Sequence, residues 1–315
     1  MTASIIHKPV MVHETVGYLR CAQGGLFVDG TLGTGGHTLA ILQNSPATTR
    51  VIGMDRDPEA LAIARERLEP FSHRLQTVHG KFGNIKEILS GLGVRAVDGI
   101  LLDLGFSSLQ IENPGRGFSF QRDDPLDMRM DQSQGISARD WLAQCSQKEL
   151  MGVLKEYGEE RWAKRLAGKI MDFQSKGPVT TTRELAELIA GSIPRGGRIH
   201  PATRTFQALR ILINDELNQL KSFLGAFLEI LKDGGRVCLI SYHSLEDRLI
   251  KQAFLRLERG LRDPLGMSEP LRPEGQPGFK RLISKPAVPS QKERQENPRS
   301  RGAKLRVGER VGGLL

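Results

Sequence analysis

Residues 27–37 read FVDGTLGTGGH, an apolar strand that ends on Asp29 and runs straight into a glycine-rich turn. Further on, RVIGMDRD at 50–57 repeats the strand and closes it with Asp55. A strand, a glycine turn, a helix and a second strand ending in an acid is how an α/β sheet holds a nucleoside cofactor. A dinucleotide fingerprint asks for G-x-G-x-x-G. Here the run is Gly33, Gly35 and then Thr38, without the third glycine. The pattern is D-x-(G)-x-G-x-G, with Asp29, Gly33 and Gly35 in place and Thr31 in the first glycine slot.

That turn resembles the S-adenosylmethionine (SAM) loop of class I methyltransferases. SAM carries no pyrophosphate, so a third glycine would have nothing to approach. Strand candidates recur at 26–29, 51–54, 75–79, 98–103 and 236–242. Asp57 and Pro58 suit the cap and first turn of a helix between the second and third. Strands alternating with helices predict a doubly wound, mostly parallel, Rossmann-like sheet with its ligand at the strands' carboxyl ends. Asp29, Asp55 and Asp103 each close a strand and Phe82 follows the third, so these four are expected around one crevice. Asp29 would cap the turn or hold the cofactor's ammonium group. Asp55 would accept from ribose hydroxyls or cap a helix, and Phe82 would stack on adenine or join the core. Gly33, Gly35 and Gly36 would let the backbone come close to the ligand.

The rhythm breaks after the fourth strand, and no buried strand is evident until 236. Capping boxes open helices at Ser146–Glu149 and Thr181–Glu184. Helix is predicted over 159–175 and, as one long stretch ended by Gly234-Gly235, over 202–232. The division this predicts is a catalytic domain of residues 1–110 and 215–315, with an all-helical substrate-recognition domain, 111–214, inserted.

Composition narrows the partners. With 39% hydrophobic and 26% charged residues the chain reads as an ordinary soluble protein, and no apolar run approaches the ~20 residues of a membrane span. The N-terminus lacks a signal-peptide profile, and three unpaired cysteines suggest a reducing compartment, so the expectation is cytoplasmic. The seven histidines show no ligand spacing, so no metal is expected. The net charge is +9, and residues 280–310 hold ten Lys or Arg against three Glu. Such concentration favours a nucleic acid partner, with a solvated tail as the alternative. AKLRVGERV nevertheless alternates like a strand.

The fourth strand exits as LLDLGFSSLQIEN. Asp103 stands where class I enzymes that methylate exocyclic amines carry (D/N)-P-P-(Y/F/W), although here the run is Asp-Leu-Gly-Phe. An amine conjugated to a base is a poor nucleophile, and an acceptor against its N–H draws the lone pair out of the ring plane. Asp103 or nearby backbone carbonyls would accept that hydrogen bond, with Ser107, Ser108 and Gln110 placed to touch base or cofactor. In 114–131, Arg116, Arg122 and Arg129 interleave with Phe118 and Phe120, which are ingredients of single-strand recognition or of a packed loop. His200, Arg204 and Arg210 open the long helix, where a helix start favours anions although a packed helix with a basic edge needs no ligand. His200 and Arg204, with Arg299, Arg301 and Lys304 near the C-terminus, are further candidate RNA contacts. YHSLEDR (242–248) lacks the G-x-S-x-G elbow of a serine hydrolase, so Ser244 with Asp247 is expected to cap a helix.

Taken together, HKPVMVHETV, DGTLGTGGH, LLDLGFSS, RGFSFQRDDPLDMRMD, HPATRTFQALR, SYHSLEDR and NPRSRGAKLRV resemble the bacterial 16S rRNA cytosine-N4 methyltransferases (the MraW, or RsmH, family). The resemblance implies a class I SAM-dependent methyltransferase with an inserted helical domain. It implies SAM as cofactor and 16S rRNA of the small ribosomal subunit as partner, and leaves a homodimer open. By motif, its SAM contacts fall on Gly35, Gly36, His37, Asp55, Phe82, Asp103 and Gln110. Phe106, Leu109 and Asp124 stand where the family pattern has Val, Pro and Gly. Two other readings compete: a nicotinamide-dependent oxidoreductase, disfavoured by the missing glycine, and an RNA-binding assembly factor holding SAM as a structural ligand.

Overall fold

Four apolar runs in the first 105 residues form parallel strands, β1 (Leu26–Asp29), β2 (Arg50–Asp55), β3 (Leu75–His79) and β4 (Val97–Asp103). The computed structural model describes residues 9–194, 199–261, 265 and 278–312. His7 and Lys8 of the first resemblance motif lie outside the described residues. Helices α1 (Val12–Tyr18), α2 (Gly36–Gln43), α3 (Pro58–Arg67) and α4 (Ile85–Gly91) accompany these strands. As expected, α3 starts where the Asp57 carboxylate accepts from Glu59 N at 3.1 Å, with Pro58 in its first turn.

The chain divides into two compact units, residues 1–105 with 217–315, and residues 106–216. The second holds α5 (Ser108–Glu112), α6 (Ala138–Gln144), α7 (Gln147–Glu156), α8 (Ala163–Gln174), α9 (Thr182–Ser192) and α10 (Thr203–Ile213). Its core joins Leu142, Leu150, Leu154, Leu166, Ile170, Leu185, Ile189 and Leu209. On α8 the buried positions are Ala163, Leu166, Ala167 and Ile170, the three-and-four spacing of a single apolar face. Both capping boxes form, Ser146 with Glu149 and Thr181 with Glu184.

The long stretch 202–232 is not one helix. Asp215, at φ 53°, breaks it after α10, and α11 (Glu216–Ala226) follows. Gly234-Gly235 end no helix either. They fall inside β5 (Leu231–Ser241), where pairing to β4 jumps from Val97↔Leu231 to Gly99↔Arg236 and the intervening residues bulge. Then come α12 (Ser244–Glu258), β6 (Phe279–Arg281), α13 (Gln291–Glu296) and β7 (Lys304–Arg310).

The sheet order is β3-β2-β1-β4-β5-β7-β6, parallel through β5, with β7 antiparallel to both β5 and β6. Connections run outward from β1 to β3 and then return to β4 on β1's other side. The topological switch point therefore falls between β1 and β4, where such sheets bind ligands. Phe223, Phe227, Phe254 and Phe279 pack together with Val28, Ile100 and Leu239 in the main core of this unit. No helix among the described residues is long and apolar enough to cross a membrane.

Candidate active site

The exits of β1, β2 and β4 lie side by side because the strands are in register, Asp29 opposite Gly53 on one side and Leu101 on the other. The turn after β1 is then built by hydrogen bonds the carboxylates accept. Asp29 Oδ1 takes Thr31 N at 3.2 Å and Oδ2 takes the Thr38 hydroxyl at 2.8 Å. Asp55 Oδ2 takes Gly33 N at 2.7 Å and Oδ1 takes Asp57 N at 2.9 Å. Gly33 has φ 51°, with the Thr31 carbonyl 4.0 Å from where a Cβ would lie; Gly35 has φ 82° and ends the turn at the start of α2. Both conformations favour glycine. Asp55 thus organises the glycine turn as well as closing β2.

Asp29, His37 and Asp103 converge. His37 Nε2 lies 3.4 Å from Asp103 Oδ2 in a buried position. Burial alone would pull the imidazole's pKa down, but the hydrogen bond and charge of Asp103, reinforced by Asp29, outweigh it and raise it. Asp29 is pushed upward by its burial, which His37 only partly offsets. Burial also lifts Asp55 to about 6, against the two backbone N–H groups that favour its charged form.

Three contributors were invisible as site residues in the sequence. Thr31, occupant of the odd glycine slot, accepts Asp103 N on its hydroxyl at 2.7 Å and ties the β1 turn to the exit of β4. Thr38 serves Asp29. Tyr242, just past β5, donates its hydroxyl to Asp103 Oδ1 at 2.8 Å; burial first and the Asp103 charge second raise its pKa well above the ordinary value. Position at a strand exit was the one signal for Tyr242 in the sequence. Phe82, half-buried, follows β3 and meets Phe223 edge-on at 6.3 Å, so it belongs partly to the core.

The expected Ser244–Asp247 cap does not form. His243 is the cap residue of α12, Glu246 accepts from Tyr242 N and His243 N, and Asp247 is taken by Lys304 and Arg306. Nothing there assembles a nucleophilic serine.

The helical unit holds the other candidates. Ser107 and Gln110 bind each other in a capping box on α5; Ser108 is buried. Arg116 donates to the Met130 carbonyl at 2.7 Å, and Arg122 to the carbonyls of Ile111, Glu112 and Asn113. Arg129 grips Asp127 with two hydrogen bonds, of 2.9 and 2.7 Å. Phe120 sits between His200, 4.6 Å away, and Phe206 at 5.0 Å. Arg204 reaches the Glu159 carbonyl at 2.6 Å, and buried Arg210 clasps Glu216. These arginines brace loops and helix ends. Of the C-terminal trio, Lys304 is paired with Asp247 at 3.0 Å, whereas Arg299 and Arg301 are exposed.

SAM fits what the sheet unit offers. Buried His37 Nδ1 has no hydrogen-bond partner, and an added Cβ at Gly33, beside the Asp55 carboxylate, would meet nothing closer than the Thr31 carbonyl at 4.0 Å.

The chain is similar to known proteins along most of its length. The MraW methylase family matches residues 4–311. "Ribosomal RNA small subunit methyltransferase H" of Trichlorobacter lovleyi is 46% identical over 309 residues, spanning 97% of this chain and 98% of that one. The proteins so named in Halothermothrix orenii and Geotalea uraniireducens are 46% and 47% identical, each over 97% of this chain and 98% of its own length. A crystal structure of an rRNA methylase from Streptococcus thermophilus aligns over 98% of this chain and all of its own, at TM-score 0.41 and 11% identity.

Proposed function

The chain belongs to the MraW methylase family, and from that premise we propose that it methylates the exocyclic N4 amine of a cytosine in the decoding region of 16S rRNA, using SAM. The assembled small subunit as substrate and the cytoplasm as compartment are part of the same proposal. The observation that carries it is similarity along the whole chain to small-subunit rRNA methyltransferases.

SAM, when bound, supplies an electrophilic methyl group on a sulfonium sulfur. The protein's residues bind and aim. Asp55 accepts from the ribose hydroxyls and Phe82 would stack on adenine. Gly33, Gly35 and Gly36 admit the ligand close to the backbone. Asp29 and His37 receive the charged amino-acid end. Asp103, held by Thr31 and aimed by Tyr242, accepts the N4–H and frees the lone pair for in-line attack. The helical unit is the substrate-recognition domain in this reading.

The test is incubation with isotope-labelled SAM and small subunits lacking the modification, followed by mass spectrometry of nucleosides. Labelled N4-methylcytidine is expected. Label on another nucleoside overturns the target, and no label with SAM binding intact favours the assembly factor.

A further inference from the structure

The turn into α8 and one face of the helix carry a cluster of cations. Arg161, Lys164, Arg165 and Lys169 border a groove of about 490 Å³, with Asp172 the one carboxylate on its rim. All four cations are exposed, and none makes an ion pair among the described residues. Arg165 and Lys169 are one four-residue step apart on α8, a rise of about 6 Å, and Arg161 lies in the turn that leads into the helix. A sugar–phosphate chain can follow such a row. Like charges stacked at this spacing repel, and cations in a helix's first turn oppose its dipole, so the row costs local stability.

Two further features suit an RNA strand better than a generic acidic surface. Trp162 stands half-exposed beside the row, with the Arg161 guanidinium 5.3 Å from its ring, a surface on which a base can stack. Gly168 sits mid-helix, where glycine lowers helix stability. Its place does not demand glycine: an added Cβ would meet nothing closer than Gln147 Nε2 at 3.4 Å. Its missing side chain leaves the notch in the groove floor.

We propose that this groove on α8 docks the RNA backbone of the substrate, a contact additional to the base-binding crevice. The proposal rests on the rRNA methyltransferase reading. Its test compares wild type with Lys164→Gln/Arg165→Gln/Lys169→Gln in binding to naked 16S rRNA across a salt series, and in methylation of small subunits. The triple variant should keep SAM affinity, hold or raise the thermal midpoint, lower the log–log salt slope by about 2, and raise KM for subunits about tenfold or more. Gly168→Gln, which fills the notch without changing charge, should weaken RNA binding at an unchanged slope. In a Trp141→Phe background, single-stranded RNA should quench Trp162 fluorescence. An unchanged slope and KM in a folded triple variant overturns the groove while wild-type methylation stands. Loss confined to intact subunits, with naked rRNA bound normally, assigns the face to a ribosomal protein and also overturns it. A wild type that methylates no RNA overturns the underlying function instead.

Discussion

Asp55 titrates near 6 because burial outweighs the Gly33 and Asp57 N–H groups that favour its charge. Only the charged carboxylate accepts from both ribose hydroxyls. Calorimetry should therefore find SAM affinity flat above about pH 7 and falling toward tenfold per pH unit below about 6. In the free protein the sign reverses: the folded state holds this proton more tightly, so the group's contribution to stability falls as pH rises from 3.8 to about 6. Asp55→Ala should lose one or two charge-assisted hydrogen bonds, about 1.5–3 kcal/mol each, from SAM binding; unchanged affinity removes Asp55 from the site. Tyr242→Phe deletes one hydrogen bond to Asp103. It should cut turnover roughly tenfold or more while leaving RNA affinity intact, and a loss in RNA affinity alone would refute the positioning role. The acids at strand exits were legible in the sequence because each sits beside its own turn. Tyr242 was not: its partner lies 139 residues away.

At the scale of elements, five of the ten basic residues in 280–310 lie on the strands β6 and β7 rather than on a tail. Lys304 and Arg306 on β7 meet Asp247, Lys280 on β6 meets Glu309, Arg281 meets Glu258, and Arg310 meets Asp233. Arg306 and Lys304 hold the Asp247 carboxyl below its usual range although burial pushes the other way. Arg306→Ala should thus lower unfolding free energy by about 1.5–3 kcal/mol and leave the salt dependence of RNA binding as it was; a flattened slope would return Arg306 to the RNA. Gly308 on β7 faces Phe279, and an added Cβ would fall 2.0 Å from the ring's Cζ. Gly308→Ala should cost about 1–3 kcal/mol through overpacking, read as a lower denaturation midpoint with secondary structure retained. The alternation of AKLRVGERV predicts this strand, but β6, three residues long, offers too few positions for any periodicity to show.

At the scale of the molecule, each unit has its own apolar core. SAM at about 100 times its Kd should stabilise what binds it by about 2.7 kcal/mol. Hydrogen exchange should locate that gain around residues 30–38, 55–57 and 103–105, with α7, α9 and α10 unchanged. Equal protection everywhere would mean that both units open as one cooperative body.

What the sequence by itself determined is local. The glycine turn after β1, the caps at Asp57, Ser146 and Thr181, and the apolar faces of strands and helices depend on residues a few positions apart. Repeated in order, they specify the parallel α/β plan and its helical insert. The tertiary structure decided which polar groups are already spoken for. Arg116, Arg122 and Arg129 read as RNA ligands until the loop folds back and gives them carbonyls and Asp127. Lys304 reads as tail charge until β7 brings it to Asp247, 57 residues away in the chain. Net charge is a sum over residues and holds no record of which of them face each other. Only once those partners are met do the cations left over, on α8, come into view.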